Sequence, residues 1–348
     1  MQFNICRRKI GEDSPVFIIA ELSANHNNDF DIAVKTIHAM KSSGADAIKV
    51  QTYLPEDMTL DLDTPMFQTR KDTIWKGRKL FDLYKEASMP YEWHSELKKI
   101  AEDLGMIFFS SPFSNQAVDL LEDLNVHAYK IASPEITDIP LIEYIASKGK
   151  PIILSSGIAT LTDIELAVNT CKQYGNNQLA VLKCTTAYPA PYDEINLKTI
   201  PNIQETFNVI PGISDHTLGI SIPIGAVALG AKIIEKHLIL DRNQGGPDSS
   251  FSLEPHEFKL MVKSVREIEL ALGEVNYDLT EKTIRSRNAA RSLFVVNDIK
   301  AGELFTEKNI HSIRPGYGLH PKYFKKVINN KAKKDIAKGT PLNWNLIN

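Results

Sequence analysis

The sequence predicts a (β/α)8 barrel, the TIM-barrel fold, followed by a small β-rich domain. Three observations carry the prediction. Short runs rich in Val, Ile and Phe recur between longer amphipathic segments, eight such runs fall before Gly273, and the periodicity changes after that residue. Short apolar runs alternating with helical patterns are what a parallel sheet covered on both faces requires. Eight βα units in about 270 residues is the arithmetic of a closed barrel.

In order, the runs are Val16 to Ala20, Ala47 to Val50, Met106 to Phe109, Ala128 to Ala132, Ile152 to Leu154, Ala180 to Cys184, Val209 to Ile213 and Lys232 to His237. Between them lie helical patterns at Asp31 to Ser43, Pro90 to Leu104, Asn115 to Leu124, Thr162 to Tyr174, Ile220 to Leu229 and Glu257 to Ala271. Pro90 suits a first helical turn, and Gly44, Gly105 and Gly273 suit helix ends. One connection, from Thr52 to Met89, is far longer than its neighbours, and long βα loops carry function more often than short ones. Glu274 to Ala290 reads as a polar linker. Beyond it Leu293 to Val296 and Ile310 to Ile313 look like strands among turn signals. The expected division is a barrel over 1–273, a linker over 274–290 and a small domain over 291–348.

With 348 residues, 43% of them hydrophobic, the chain can bury a large core without staples. Cys6, Cys171 and Cys184 are an odd, scattered set with no CxxC, which argues against a disulfide framework or structural zinc and for a reducing cytoplasm. The start has no apolar stretch of signal-peptide length, and no run approaches the roughly 20 residues that span a bilayer. Neither secretion nor a membrane is expected. The net charge of -3 is unevenly spread, because Arg291 to Asn348 is basic and the barrel acidic. The tail's lysines are scattered and no nucleic-acid motif accompanies them, so the reading is a solvated basic face or a domain that docks on an acidic barrel, not a nucleic-acid binder.

Barrel chemistry sits at the carboxyl ends of strands, and here every strand ends in polar residues. The first ends in Glu21, the second in Lys49 and Gln51, the third in Ser110 and Ser111, the fourth in Lys130 and Ser133. Ser155 and Ser156 follow the fifth, Lys183, Thr185 and Thr186 the sixth, Ser214, Asp215 and His216 the seventh, and Glu235 and His237 the eighth. Two lysines converging with several hydroxyls suit an anion carrying both a phosphate and a carboxylate. Two other readings stay open: the lysines pair with barrel acids such as Glu21 and Glu235, or one of them forms a Schiff base as in an aldolase. His216 and His237 end neighbouring strands and could share a divalent ion with positions left for substrate and water. The stretch Gln244 to Asp248 reads as a flexible loop that brings an acid to the mouth.

At these residues the chain resembles the sialic acid synthase family, phosphoenolpyruvate-dependent enzymes that make nonulosonic acids, and within it most closely the pseudaminic acid branch. The segments that carry the likeness are IIAELSANHN, ADAIKVQTY, FFSSPFS, YKIAS, PIILSSG, KCTTAYPAP, SDHTLG, AVALGA and IIEKHL. In the tail RSLFVV, DIKAGE and SIRPGYGL look like the antifreeze-like (SAF) domain of that family. The branch is suggested by Thr52 to Asp61, Phe251 to Pro255 and Arg314 to Leu319, and Thr186 stands where sialic acid synthases carry Asn.

The resemblance implies phosphoenolpyruvate at Lys49, Ser111, Lys130, Ser133, Ser155 and Ser214, an amino sugar at Glu21, Gln51, Tyr188, Asp248 and Arg314, and a divalent metal, Mn, Mg or Co, at His216 and His237. Glu21, Lys49, Lys130 and His237 are the implied catalytic residues. The implied assembly is a domain-swapped homodimer in which Arg314 reaches the partner's barrel. A 6-deoxy sugar calls for an apolar wall, with Met58, Phe113 and Phe251 as candidates. Against this stand a synthase for a related sugar, a Schiff-base pyruvate aldolase and a non-catalytic carbohydrate-binding protein.

Overall fold

The computed structural model describes residues 1–348, which divide into two compact units, Met1–Gly273 and Glu274–Asn348. The first unit opens with an antiparallel hairpin, β1 (Gln2–Ile5) and β2 (Arg8–Gly11), that the sequence reading did not anticipate. Its signal was present in the alternation of Phe3, Ile5 and Ile10, three side chains that are all buried. They pack against Phe17, Ala47, Ala128 and Ile233, at the starts of barrel strands, so the hairpin closes the amino-terminal end of the barrel.

Eight parallel strands follow: β3 (Phe17–Glu21), β4 (Ala47–Thr52), β5 (Ile107–Pro112), β6 (Tyr129–Ile131), β7 (Ile152–Ser155), β8 (Leu179–Cys184), β9 (Ile210–Asp215) and β10 (Ile233–His237). They form a closed barrel in which β10 pairs β3, as the sequence predicts. Side chains alternate across each strand. Ile18, Ala20, Ile48, Val50, Phe108 and Tyr129 turn outward into the core shared with the surrounding helices. Phe17, Ile19, Ala47, Phe109, Ile153, Leu182 and Ile233 turn inward. By the same alternation Glu21, Lys49, Ser111, Lys130, Ser155, Cys184, Ser214, Glu235 and His237 also turn inward, above an apolar floor. Gly212 belongs to that floor, where a Cβ would come within 2.5 Å of Leu182 and 2.6 Å of the Ile233 carbonyl.

All six helical patterns are helices, with ends that shift by a few residues. Pro90 lies three residues ahead of its helix, Trp93–Asp103, and its carbonyl accepts from the Trp93 amide at 3.1 Å, so it leads into the first turn without belonging to it. Helices at Leu80–Ala87, Ile139–Ala146 and Thr199–Phe207 were not read from the sequence. The long connection after β4 contains Pro55–Met58, a 3-10 turn at Pro65–Phe67 and the helix Leu80–Ala87.

In the second unit β11 (Ser292–Val295) and β12 (Ile310–Ile313) pair antiparallel over a small core of Leu293, Val295, Phe305, Ile310, Val327 and Leu342. Glu274 to Ala290 is more ordered than a plain linker, since it holds a helix at Glu281–Ser286 capped by Thr280. Gly318 passes so close to this sheet that a Cβ would meet the Leu293 carbonyl at 2.2 Å.

Candidate active site

Above the apolar floor the barrel opens into a cavity of about 350 Å³ lined by Lys49, Gln51, Lys130, Ser133, Ser155, Tyr188, Ser214, His216, His237 and Asp248. Glu21 and Ser111 are fully buried beside it and reach it through Lys49. Arg314 belongs to the second unit, one residue past β12. Lys183, also at a strand end, has the wrong parity to face the cavity and donates to the Cys184 carbonyl at 3.1 Å.

Lys49 is the hub. Its Nζ lies 2.6 Å from Glu21 Oε2 and 3.8 Å from Glu235 Oε1, and donates to Ser111 Oγ at 3.3 Å. Ser214 Oγ donates to Glu235 Oε1 at 2.9 Å. Across the cavity Lys130 Nζ donates to Ser155 Oγ at 2.6 Å and to the Ile131 carbonyl at 2.9 Å. Ser133 Oγ accepts from the Ile158 amide at 3.0 Å, and a Cβ on Gly157 would come within 2.4 Å of it, so this loop packs tightly against the serine. The ammonium groups of Lys49 and Lys130 therefore share one buried chamber with the carboxyl groups of Glu21 and Glu235. The sequence alternatives of an anion site and of lysines paired to barrel acids describe the same residues.

Burial dominates the electrostatics. It lifts Glu21 to about 7, with the Lys49 charge opposing and the Glu235 charge adding to the rise. Burial also works against ionised Glu235, but the Lys130 and Lys49 ammoniums overcome it and hold that carboxyl below its ordinary range. Lys49 is likewise buried, yet the facing carboxylates raise it, so it stays charged. Lys130, with no carboxylate in salt-bridge contact, is lowered by burial.

His216 and His237 come together as expected, with ring centres 5.2 Å apart. Burial lowers His216 to about 4 and His237 well below its usual value, so both are neutral imidazoles. His216 Nδ1 faces the Thr185 carbonyl at 3.1 Å, which places the proton there and leaves Nε2 with its lone pair. His237 Nδ1 is buried without a hydrogen-bond partner and stands 4.0 Å from Asp248 Oδ2. Two neutral, oriented imidazoles with an unsatisfied nitrogen are a donor set that fits a divalent ion. No group of three His, Cys, Asp or Glu side chains in metal-binding geometry exists in the chain, so further positions on an ion would fall to water and substrate.

Asp248 is fixed by Ser23 Oγ, which donates to it at 2.5 Å and accepts from Gln51 Nε2 at 3.0 Å. Gln51 also donates to Glu21 Oε1 at 3.4 Å, tying three of the expected sugar residues into one chain. The loop carrying Asp248 is thus tethered and not free. Met58, Phe113 and Phe251 all line the cavity, joined by Tyr53, Leu83 and Trp75. Trp75 comes from the long connection after β4; its Nε1 donates to the Pro247 carbonyl at 3.2 Å and its ring stands 5.7 Å from Tyr188. The sequence reading missed Ser23 and Trp75, and also Glu135, a carboxyl that burial raises to about 7 against the opposing charge of Lys130. A residue two past a strand or deep within a long loop carries no strand-end signal.

Comparison with known proteins agrees with this geometry. Residues 36–277 match the NeuB family and residues 290–348 the SAF domain. The chain is 48% identical to pseudaminic acid synthase of Helicobacter pylori, covering 94% of this chain and 96% of the relative. It is 47% identical to pseudaminic acid synthase of Campylobacter jejuni, covering 95% and 96%. Among solved structures, N-acetylneuraminic acid synthetase from Leptospira borgpetersenii superposes with a TM-score of 0.73 at 32% identity, covering 83% of this chain and 97% of that one. A barrel whose polar layer holds paired lysines and paired histidines, matched over this length, makes the chain a member of the NeuB family with a carboxyl-terminal SAF domain.

Proposed function

We propose that the chain is a pseudaminic acid synthase, condensing phosphoenolpyruvate with 2,4-diacetamido-2,4,6-trideoxy-L-altrose and water to give pseudaminic acid and phosphate. The observation that carries this reading is identity of 47–48% to pseudaminic acid synthases over 94–95% of the chain. The cavity supports it in chemistry. Lys49 and Lys130 neutralise the phosphate and carboxylate of phosphoenolpyruvate, and the hydroxyls of Ser111, Ser133, Ser155 and Ser214 orient them. Gln51, Tyr188 and Asp248 hold the open-chain sugar. His216 and His237 would hold a divalent ion, with Mn, Mg or Co the candidates, and such an ion would supply Lewis acidity at the mouth of the cavity.

Carbon 3 of phosphoenolpyruvate forms a bond to the aldehyde carbon, whose oxygen takes a proton to become a hydroxyl. Water adds at carbon 2 and loses a proton. The carbon–oxygen bond to phosphate then breaks as the new hydroxyl gives up its proton to the departing phosphate, leaving a carbonyl at carbon 2. Glu21, poised near neutrality, is the group that exchanges a proton with water or with the sugar. Arg314 of the partner subunit completes the sugar site in a domain-swapped homodimer, and its planar fork suits an acetamido carbonyl or a hydroxyl pair. The enzyme works in the cytoplasm, where its three free cysteines stay reduced; no helix is long and apolar enough to cross a membrane.

Turnover in oxygen-18 water tests the bond assignment. The released phosphate is expected to be unlabelled, and label in it overturns carbon–oxygen cleavage. Borohydride treatment with pyruvate is expected to leave every lysine unmodified, whereas a reduced lysine adduct favours the aldolase reading.

A further inference from the structure

Behind the histidine pair, on the outer side of the barrel, lies an ion pair that no step above uses. Lys236 and Asp215 are register partners on β10 and β9. Their neighbours Ser214, His216, Glu235 and His237 line the cavity, so by alternation these two side chains turn away from it. Both are completely buried, with Lys236 Nζ 2.5 Å from Asp215 Oδ2. The same ammonium donates to the Thr217 carbonyl. Asp215 in turn accepts from the Thr217 amide at 3.0 Å and from its hydroxyl at 3.1 Å. One cation is therefore bonded to the residues on both sides of His216 while standing one position before His237.

Such a pair contributes little to stability. The desolvation of two buried charges offsets most of their attraction, and apolar replacements of similar volume are often neutral. What it does contribute is geometry, because the two strand ends cannot slide or splay without breaking both bonds of the Lys236 ammonium, to Asp215 and to the Thr217 carbonyl.

We propose that Lys236 is a positioning residue: through Asp215 and Thr217 it clamps the ends of β9 and β10 and thereby sets the spacing of the His216 and His237 imidazoles toward a shared divalent ion. The proposal rests on the reading that these two histidines hold a metal. Groups that orient metal ligands typically change affinity by about 10–100-fold when removed.

The test is titration of the metal-stripped protein with Mn²⁺, following the free ion by electron paramagnetic resonance, alongside thermal unfolding of the same metal-free samples. The variants are Lys236→Met/Asp215→Asn, which removes both charges and the ammonium's bond to the Thr217 carbonyl while residue 215 keeps an oxygen for the Thr217 amide, and Asp215→Asn alone. The double variant is expected to unfold within a few degrees of wild type yet bind Mn²⁺ about 10–100-fold more weakly. A purely structural ion pair would instead give back both stability and affinity in the double variant, and wild-type affinity there overturns the proposal. Should the double variant not fold, Asp215→Asn serves the same purpose, with several-fold weaker binding expected and unchanged binding overturning the proposal. Wild type that binds no Mn²⁺, or binds it as well as His216→Ala/His237→Ala does, removes the two-histidine site itself and is a separate result from a failed clamp.

Discussion

Lys49 Nζ and Glu21 Oε2 lie 2.6 Å apart with neither side chain more than 4% exposed. They are direct partners in the β3–β4 register, so the contact follows from strand pairing and needs no loop to make it. Glu235 stands on the other side of the same ammonium. The Lys49 charge is therefore already offset by carboxyls on both sides before an anionic substrate enters, and Glu21, lifted to about 7, can take up a proton when it does.

Lys49→Met should lower turnover by about 10²–10³-fold, the range for removing one group that stabilises developing charge. Breaking a buried ion pair ordinarily costs about 3–5 kcal/mol, but Glu21 can protonate, so a smaller loss of stability is expected. Phosphate-release kinetics and thermal melts on the same preparation check both halves. Wild-type turnover would remove Lys49 from the anion site.

His26 supplies a pH prediction away from the metal residues. It is fully buried, its Nδ1 accepts from the Asn28 amide at 3.0 Å, and burial lowers it from 6.5 to about 4. Protonation breaks that hydrogen bond, so the unfolded chain binds the proton first. The stabilisation is complete above 6.5 and is lost as pH falls toward 4, by roughly 3 kcal/mol at most. Denaturant titrations of wild type and His26→Gln at several pH values should show the gap between them shrinking over that window. A gap independent of pH would contradict the neutral buried imidazole.

Removal of metal should abolish turnover, and an added divalent ion should restore it, because aldehyde activation calls for a Lewis acid. Phosphoenolpyruvate binding should survive in part, since Lys49, Lys130 and Ser155 do not depend on the histidines. Full activity after exhaustive chelation, with metal content measured as zero, would retire His216 and His237 as ligands.

Shared sites can be detected by mixing. Arg314→Ala and Lys130→Ala variants should each be poorly active, while under the proposed domain-swapped homodimer a mixture in which subunit exchange has been verified should regain activity through one intact centre per mixed dimer. No recovery would rule out Arg314 acting across subunits.

Much of this was legible in the sequence for a simple reason. A barrel strand is a short apolar run, and a polar residue that ends it must lie at the catalytic rim. Glu21, Lys49, Lys130, Ser155, Ser214, His216 and His237 were found that way. Parity then separates Lys130, which faces in, from Lys183, which faces out, and that distinction requires knowing which residue of each run starts the inner layer. Ser23, Glu135 and Trp75 lay outside the pattern because their positions depend on how loops fold back. The hairpin of β1 and β2 went unread because four-residue strands with a Cys6–Arg7 turn carry no strong turn signal. The pairing of Lys236 with Asp215 could not be foreseen, since a charged residue inside an apolar run says nothing about its partner.

The most direct measurement is phosphate release from phosphoenolpyruvate against a panel of amino sugars: 2,4-diacetamido-2,4,6-trideoxy-L-altrose, the legionaminic acid precursor and N-acetylmannosamine. Met58, Phe113 and Phe251 line the cavity, and an apolar wall against carbon 6 would favour a methyl there, rejecting an added hydroxyl by about 10²-fold. The expected result is the highest kcat/KM with the altrose compound and at least a tenfold drop with N-acetylmannosamine. Better turnover of N-acetylmannosamine or of the legionaminic precursor would contradict a pseudaminic acid synthase while leaving the family intact.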